Sequence, residues 1–521
     1  MNNKVTNVSV VMSNIPSNAT IAIGGSGTGH AIPEELIKGL AEYFKNTGRP
    51  RNLTLLYTLC LGDSNEKGAN QLALEGLIKR VIAGHWWLTP KLGKMVSNNL
   101  IEGYNFPSGV IAQIYRAIAG RKPGVITKVG LNTYVDPRLE GGKLNNITKE
   151  NLVEVIKLIE DEWLMYKSFP INVAFIRGTT ADEEGNITME QEPLFSENLS
   201  IAQAAHNSGG FVVAQVKRLC KSGNLSPKEV KIPGIIVDNI IVSPNQPQLY
   251  NVFYNPAYAG ELRVPVKQEK MPLDEKKIIR RRAIKEIIPG DITNVGVGIA
   301  AGLSDIAKEE NISDLMYTTI EQGLIGGEPV KGINFGTATN FDAMINEDYQ
   351  FDFYDGGGLD IAFLSFAEVD KKGNLNVTKF ADVPVGCGGF INISQNAKRV
   401  IFMGTLTGGG REIQIKNNKI NIKKEGRYKK FVDKVRQISF SAERALKTEQ
   451  QVMYITERAV FELTENGLLL KEIAPGIDLK NDILKQMEFK PILPSNIKEM
   501  NQHIFKKAAM GIRSEILSKK Q

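Results

Sequence analysis

Short apolar, β-branched runs along this chain alternate with stretches in which apolar residues recur every three or four positions, and glycine-rich breaks divide them. Thr20–Ile23 is apolar and is cut by Gly24-Gly25-Ser26-Gly27-Thr28-Gly29. Residues 32–44 then carry helical spacing, opened by Pro33 in the first turn, with Glu34, Glu35 and Glu42 as the polar face. Apolar segments follow at 79–87 and 110–118. Leu152, Val155, Ile156 and Ile159 predict a helix over 148–165. Residues 171–176, Phe211–Val216 and 235–242 predict buried strands, and Asp182-Glu183-Glu184-Gly185-Asn186 predicts a turn. Residues 246–266 read as an irregular connector rich in proline and tyrosine. Asp274 caps a basic helix running to Ile287, and Pro289-Gly290-Asp291 leads into a second core. Strands alternating with helices predict an α/β fold.

The second core repeats the first. Residues 15–20 (Ile-Pro-Ser-Asn-Ala-Thr) are similar to 288–293 (Ile-Pro-Gly-Asp-Ile-Thr), with Gly25 opposite Gly298. Leu56-Tyr57-Thr58 matches Met316-Tyr317-Thr318, and residues 171–176 match 359–364. Both copies continue to an Asp-x-x-Gly-Asn turn, at 182–186 and 370–374. The spacing falls from 273 to 260 to 188 between matches, so the copies differ by loop insertions. The expected organisation is two tandem, similar open α/β domains, 1–270 and 271–521, with the active site at their interface.

Length and composition set outer bounds. At 521 residues the chain exceeds one domain, and 42% hydrophobic content suffices for real cores. No apolar run reaches the roughly 18 residues of a membrane helix, and the N-terminus carries no secretory or transit pattern, so a cytoplasmic setting is expected. Three cysteines (Cys60, Cys220, Cys387) form no CxxC pair, and four histidines show no metal-ligand spacing; no metal is expected. The net charge is 64 − 57 = +7. Basic clusters at 276–285 and 416–430 lack interleaved aromatics and read as solvated helix and hairpin faces rather than a nucleic-acid surface.

The chemistry concentrates after residue 315. A buried strand over 315–320 ends in Glu321, followed by Gly323, Gly326, Gly327, Pro329, Gly332 and Gly336. A carboxylate at the carboxyl end of a strand, walled by glycines, is a common place for catalysis in α/β proteins. Glycine lets backbone approach a ligand and present N–H groups to developing charge. A solvated Glu before a flexible loop is the alternative. The first copy offers Leu61 opposite Glu321 in the Tyr-Thr register, which cannot ionise, so one site per chain is expected. The Gly24–Gly29 loop could cradle a phosphate or an oxyanion. It is neither a Walker motif nor the dinucleotide fingerprint, since the third glycine of GxGxxG falls on His30.

Five stretches together resemble family I coenzyme A transferases, closest to the single-chain acetate and propionate branch. They are Glu321-Gln-Gly-Leu-Ile-Gly-Gly-Glu-Pro, Phe351-Asp-Phe-Tyr-Asp-Gly-Gly-Gly-Leu-Asp360, Gly386-Cys-Gly-Gly-Phe-Ile, Tyr454-Ile-Thr-Glu-Arg-Ala-Val-Phe461 and Glu472-Ile-Ala-Pro-Gly-Ile-Asp-Leu. The resemblance covers essentially the whole chain in order.

It implies ping-pong transfer of coenzyme A from an acyl-CoA to a free short-chain carboxylate. Glu321 would be the nucleophile, passing through a mixed anhydride to a glutamyl-CoA thioester. Gly388 and Gly389 would donate to the oxyanion. Gly296, Val297, Gly298, Ile299 and Ala300 would contact coenzyme A, with Met403 near its pantetheine arm and Arg411 at a phosphate. Gly25 and Gly27 would close over the carboxylate. Cys387 reads as a packed small residue rather than a nucleophile, no histidine lying near it in sequence. Coenzyme A is a co-substrate and no bound cofactor is implied; the assembly implied is a homo-oligomer, a tetramer. An acyl-CoA hydrolase using the same glutamate, or a non-catalytic sensor or sugar-phosphate isomerase on a related fold, are the rival readings.

Overall fold

The computed structural model describes residues 4–266, 271–380 and 383–519. The chain forms two compact units. The first comprises Met1–Val264, Ile320–Asp352 and Phe380–Asn392; the second comprises Pro265–Thr319, Phe353–Lys379 and Ile393–Gln521. The chain first passes from one unit to the other near 265. Two segments of the second half nevertheless return to the first unit, and one carries Glu321.

The first unit is built on a seven-stranded sheet. Its strands are β1 (Thr20–Ile23), β2 (Leu53–Tyr57), β3 (Ile78–Ala83), β4 (Glu102–Asn105), β5 (Val173–Arg177), β6 (Phe211–Val216) and β7 (Asn239–Val242), all pairing in parallel in the order β7-β6-β5-β1-β2-β3-β4. Alternate side chains pack on opposite faces. Ile21, Ile23, Val173 and Phe175 face α1 (Glu34–Thr47) through Leu36, Ile37 and Leu40. Ala22, Ala174 and Ile176 face α2 (Ser108–Ala119) and α3 (Asn198–Asn207) through Val110, Ile111, Ile114 and Ile201. Helices on both faces explain why the strands read as continuous apolar runs instead of alternating ones.

The second unit repeats this order. Its strands β8 (Asp291–Val295), β9 (Met316–Ile320), β10 (Ile361–Ser365), β11 (Arg399–Met403) and β12 (Gln451–Ile455) pair in parallel as β12-β11-β10-β8-β9. That is the arrangement β7-β6-β5-β1-β2, so the internal repeat is a repeat of topology. The strand registers also correct the residue match. Ile21 pairs with Val173 and Leu55, and Thr293 pairs with Ile361 and Thr318. Three residues beyond Leu55 and Thr318 lie Thr58 and Glu321. The positional counterpart of Glu321 is Thr58, not Leu61.

Two further expectations give way. Residues 148–165 are not a helix: Val153–Leu158 and Asp161–Lys167 form an antiparallel hairpin that continues to Gly124–Thr127. The reason is alternation in the return strand, where Leu164 and Tyr166 are buried and Asp161 and Glu162 face solvent, with Ile159 turning the chain at φ 58°. The 276–285 cluster is not a solvated face either. On α4 (Glu275–Ile284), capped by Asp274 as predicted, Lys277, Arg281 and Arg282 are buried. They pair with Glu309, Glu286 and Glu472, and Arg281 also donates to the Ile504, Lys506 and Ala508 carbonyls. Among the described residues no helix is long and apolar enough to cross a membrane.

Candidate active site

Glu321 follows the carboxyl end of β9 and opens a turn closed by Gly323 N–H donating to the Ile320 carbonyl, 2.9 Å. Its carboxylate is surrounded by protein while part of the residue's surface still meets solvent. Two groups donate to it: the Gly389 N–H and Gln322 Nε2, the latter 3.4 Å from Oε1. Among the described residues no cation contributes. Burial outweighs the two hydrogen bonds and pushes the Glu321 carboxyl up to about 7. A carboxylate so poorly solvated has lost part of the water shell that ordinarily blunts its nucleophilicity.

Gly389 is glycine for a steric reason. A Cβ there would overlap Glu321 Oε2 and crowd the Phe351 ring at 2.9 Å. The 383–389 stretch is held by the loop after β3. Trp86 N–H donates to the Val385 carbonyl (2.8 Å), Cys387 N–H to Asn105 Oδ1 (3.0 Å) and Gly388 N–H to the Gly84 carbonyl (2.7 Å). The Gly388 carbonyl accepts from Ser108 N–H at 2.9 Å. Gly388 is therefore spent on scaffolding, and of the glycine pair it is Gly389 whose N–H faces the carboxylate. Asn105 itself is fixed by donating to the Ala83 and Gly84 carbonyls, 2.8 and 2.6 Å, and by accepting from Tyr134. Burial pushes the Cys387 thiol up to about 12, so it is no thiolate nucleophile at neutral pH. The same cause lowers His85, whose ring lies near Gly388, to about 4, keeping it neutral.

A second acidic layer lies near Glu321, and sequence reading did not find it. Glu197, just before α3, and Glu347, at the start of α5 (Glu347–Asp355), are both fully buried, and the charge on Glu321 is felt at Glu347. Thr58, the counterpart of Glu321, and Tyr115 adjoin the pair. Burial raises both carboxyls, and Glu347 is raised further by the Glu197 charge, so the shared proton stays on Glu347, hydrogen-bonded to Glu197. No local signal marks Glu197 or Glu347, because their partners come from distant stretches of chain.

Gly25 and Gly27 lie in the turn after β1, at φ +93° and +59°, with the Gly27 position covered by the His30 ring. The turn joins the Glu321 loop through Thr28 Oγ1, which donates to the Ile333 carbonyl at 2.6 Å. The remaining predicted positions belong to the second unit. Gly296 and Val297 follow β8, with Val297 exposed; Gly298 (φ +78°) lies over Ser365, whose hydroxyl donates to the Val297 carbonyl at 2.7 Å. Ile299 offers its carbonyl to Arg280 Nε, 2.7 Å, and Ala300 opens a short 3-10 turn. Met403 is buried at the end of β11. Arg411 is not a free guanidinium: it pairs with Glu275 at 3.1 Å and donates to the Thr407 carbonyl.

A strand-end glutamate with glycine donors, on a duplicated α/β scaffold, has close relatives. The family model described as Coenzyme A transferase matches residues 5–243. The acetate CoA-transferase YdiF of Escherichia coli K12 is 45% identical over 499 residues, 95% of this chain and 94% of that one. The chain belongs to the coenzyme A transferase family. The caffeate CoA-transferase of Acetobacterium woodii is 43% identical over 507 residues, 96% of each chain. Among solved structures, the acyl-CoA transferase YdiF from E. coli O157:H7, as a thioester complex with CoA, superposes with a TM-score of 0.93 at 43% identity, covering 98% of this chain and 97% of that one. This coenzyme A transferase is thus related over nearly its whole length to single-chain members.

Proposed function

We propose that this transferase moves coenzyme A from an acyl-CoA to a free carboxylate, acetate among the acceptors, through a covalent thioester on Glu321. The supporting observation is the Glu321 carboxylate itself: buried, without a cation, and gripped by two neutral donors. A salt bridge would stabilise the carboxylate in the ground state and blunt its attack. Neutral donors strengthen as an oxyanion forms and need no proton to move. Glu321 attacks the thioester carbonyl, giving a mixed anhydride and CoA thiolate. The thiolate then attacks the Glu321 carbonyl, releasing the donor acid and leaving glutamyl-CoA. The acceptor acid reverses both steps. In this reading coenzyme A is a co-substrate with no other cofactor needed, the residues of 296–300 in the second unit contact it, and the enzyme works in the cytoplasm as a homo-oligomer.

The two relatives, almost equally identical to this chain, carry the names of very different acids, so overall identity does not choose the acyl group. A pocket difference of one methylene or hydroxyl is worth only about 1–3 kcal/mol. The test is intact-protein mass spectrometry after mixing with acetyl-CoA, with peptide mapping, a Glu321→Ala control and acceptors from acetate to a hydroxycinnamate. The expected result is a coenzyme-A-sized adduct on the Glu321 peptide, absent in the variant and discharged by the preferred acid. Thioester consumption with no acceptor dependence would make the protein a hydrolase instead.

A further inference from the structure

The two oxygens of Glu321 are held by different groups. Gln322 Nε2 is 3.4 Å from Oε1, while Gly389 lies against Oε2. The Gln322 side chain is 5% exposed and its amide rests on the bare α-carbon of Gly336 (φ +109°), where a Cβ would come within 3.3 Å of Nε2 and 3.4 Å of Cδ. Its amide oxygen is buried with no hydrogen-bond partner. Burying an acceptor unsatisfied is costly, and the orientation that incurs this cost is the one that aims the N–H at Glu321. Such an exception in a folded interior calls for a functional account.

We propose that Gln322 is a catalytic residue, the donor for the second oxyanion of the cycle, which forms on the carbonyl of Glu321 itself. The assignment rests on the glutamyl-CoA reading. Oε2, on the Gly389 side, attacks the acyl carbon. The thioester C–S bond breaks, CoA leaves as thiolate, and Oε2 becomes the bridging oxygen of the anhydride with Oε1 its glutamyl carbonyl. The thiolate then attacks Glu321 Cδ: the S–Cδ bond forms and the π pair moves onto Oε1. Collapse breaks Cδ–Oε2 and releases the acid carrying Oε2. Charge shared by two oxygens in the resting carboxylate is concentrated on Oε1, the oxygen Gln322 faces, so this contact strengthens in the transition state. The acyl oxyanion of the first step lies on the other side of Oε2 and is left to Gly389.

The test follows one turnover of the full-length enzyme with acetyl-CoA, measuring free thiol and the Glu321 adduct separately in wild type, Gln322→Leu and Gln322→Asn. In Gln322→Leu the adduct is expected to form about 10²–10³-fold more slowly, with KM for acetyl-CoA changed by less than about 3-fold, as fits a donor used only in the transition state. Free thiol should accumulate ahead of the adduct as the stranded anhydride meets water. Gln322→Asn, which keeps a shortened amide, should recover part of the rate. Adduct formation at the wild-type rate in Gln322→Leu, while wild type forms it normally, overturns this assignment alone; absence of the adduct in wild type overturns the glutamyl reading and this assignment with it. Should the variants not fold, the infrared carbonyl stretch of the wild-type glutamyl thioester reads the same contact. A stretch lowered from that of an unbonded thioester supports the assignment, and an unshifted one overturns it.

Discussion

Buried charge is handled in opposite ways around Glu321 and in the ion-pair knots of the second unit. In those knots, buried cations have carboxylates. Arg458, with no exposure, holds Glu425 through both terminal nitrogens at 2.7 and 2.9 Å and Glu457 through Nε at 2.8 Å; Arg282 holds Glu472, and Lys277 with Arg281 hold Glu309. These partners keep Glu309 and Glu425 below the usual carboxylate range despite burial. Around Glu321 in the first unit, burial goes uncompensated: Glu321, Glu197 and Glu347 are all raised. Paired charge fixes architecture, whereas the unpaired carboxylate is left with unspent reactivity. Two stretches of the family resemblance fall on the architectural side, since Glu457, Arg458 and Glu472 build these knots.

The contrast can be broken from either side. The largest effect is expected from Arg458→Met, which strands Glu425 and Glu457 in the interior. It should cost about 3–5 kcal/mol of stability in denaturant titrations, and preservation of stability would show the knot to be dispensable. Next is Gly389→Ala, whose new methyl overlaps Glu321 Oε2 and displaces the N–H donor. Turnover should fall about 10²–10³-fold, with the urea midpoint moving far less than in the arginine variant.

Smallest is Glu347→Gln. A carboxyl whose folded pKa is raised binds its proton more tightly in the folded state, so it lowers stability as pH rises from its unfolded value, near 4.5, through the folded one. The variant removes that penalty. It should be more stable than wild type at alkaline pH, by a margin that grows as pH rises above about 4.5 and vanishes below it. Equal pH dependence in both proteins would mean that Glu347 is not held protonated.

Much of this was legible in the sequence, for reasons that can be named. Strands buried on both faces write continuous apolar runs, which located β1, β5, β6 and β9 within a few residues. A carboxylate at a strand end followed by glycine leaves a local mark, which singled out Glu321. What failed depended on partners far along the chain. The basic stretch on α4 looked solvated because its carboxylates, Glu309 and Glu472, lie 28 and 190 residues away from the arginines they meet. Gly388 and Gly389 are indistinguishable as letters; only Gly84, some 300 residues earlier, separates the scaffold from the donor. Residues 148–165 carried both periods at once, and the alternation of Leu164 and Tyr166 prevailed because that face had a core to meet.

The return of 320–352 and 380–392 to a unit otherwise made by residues before 265 has a consequence for how activity begins in a growing polypeptide. Synthesis runs from the amino end at about 5–20 residues per second, so the first unit waits on the order of ten seconds for its last segment. Until Gly389 has emerged, Glu321 lacks its backbone donor. A truncated or stalled chain thus carries Glu321 without its Gly389 donor. On the function proposed above, acyl-CoA chemistry switches on only when the later half of the message has been read.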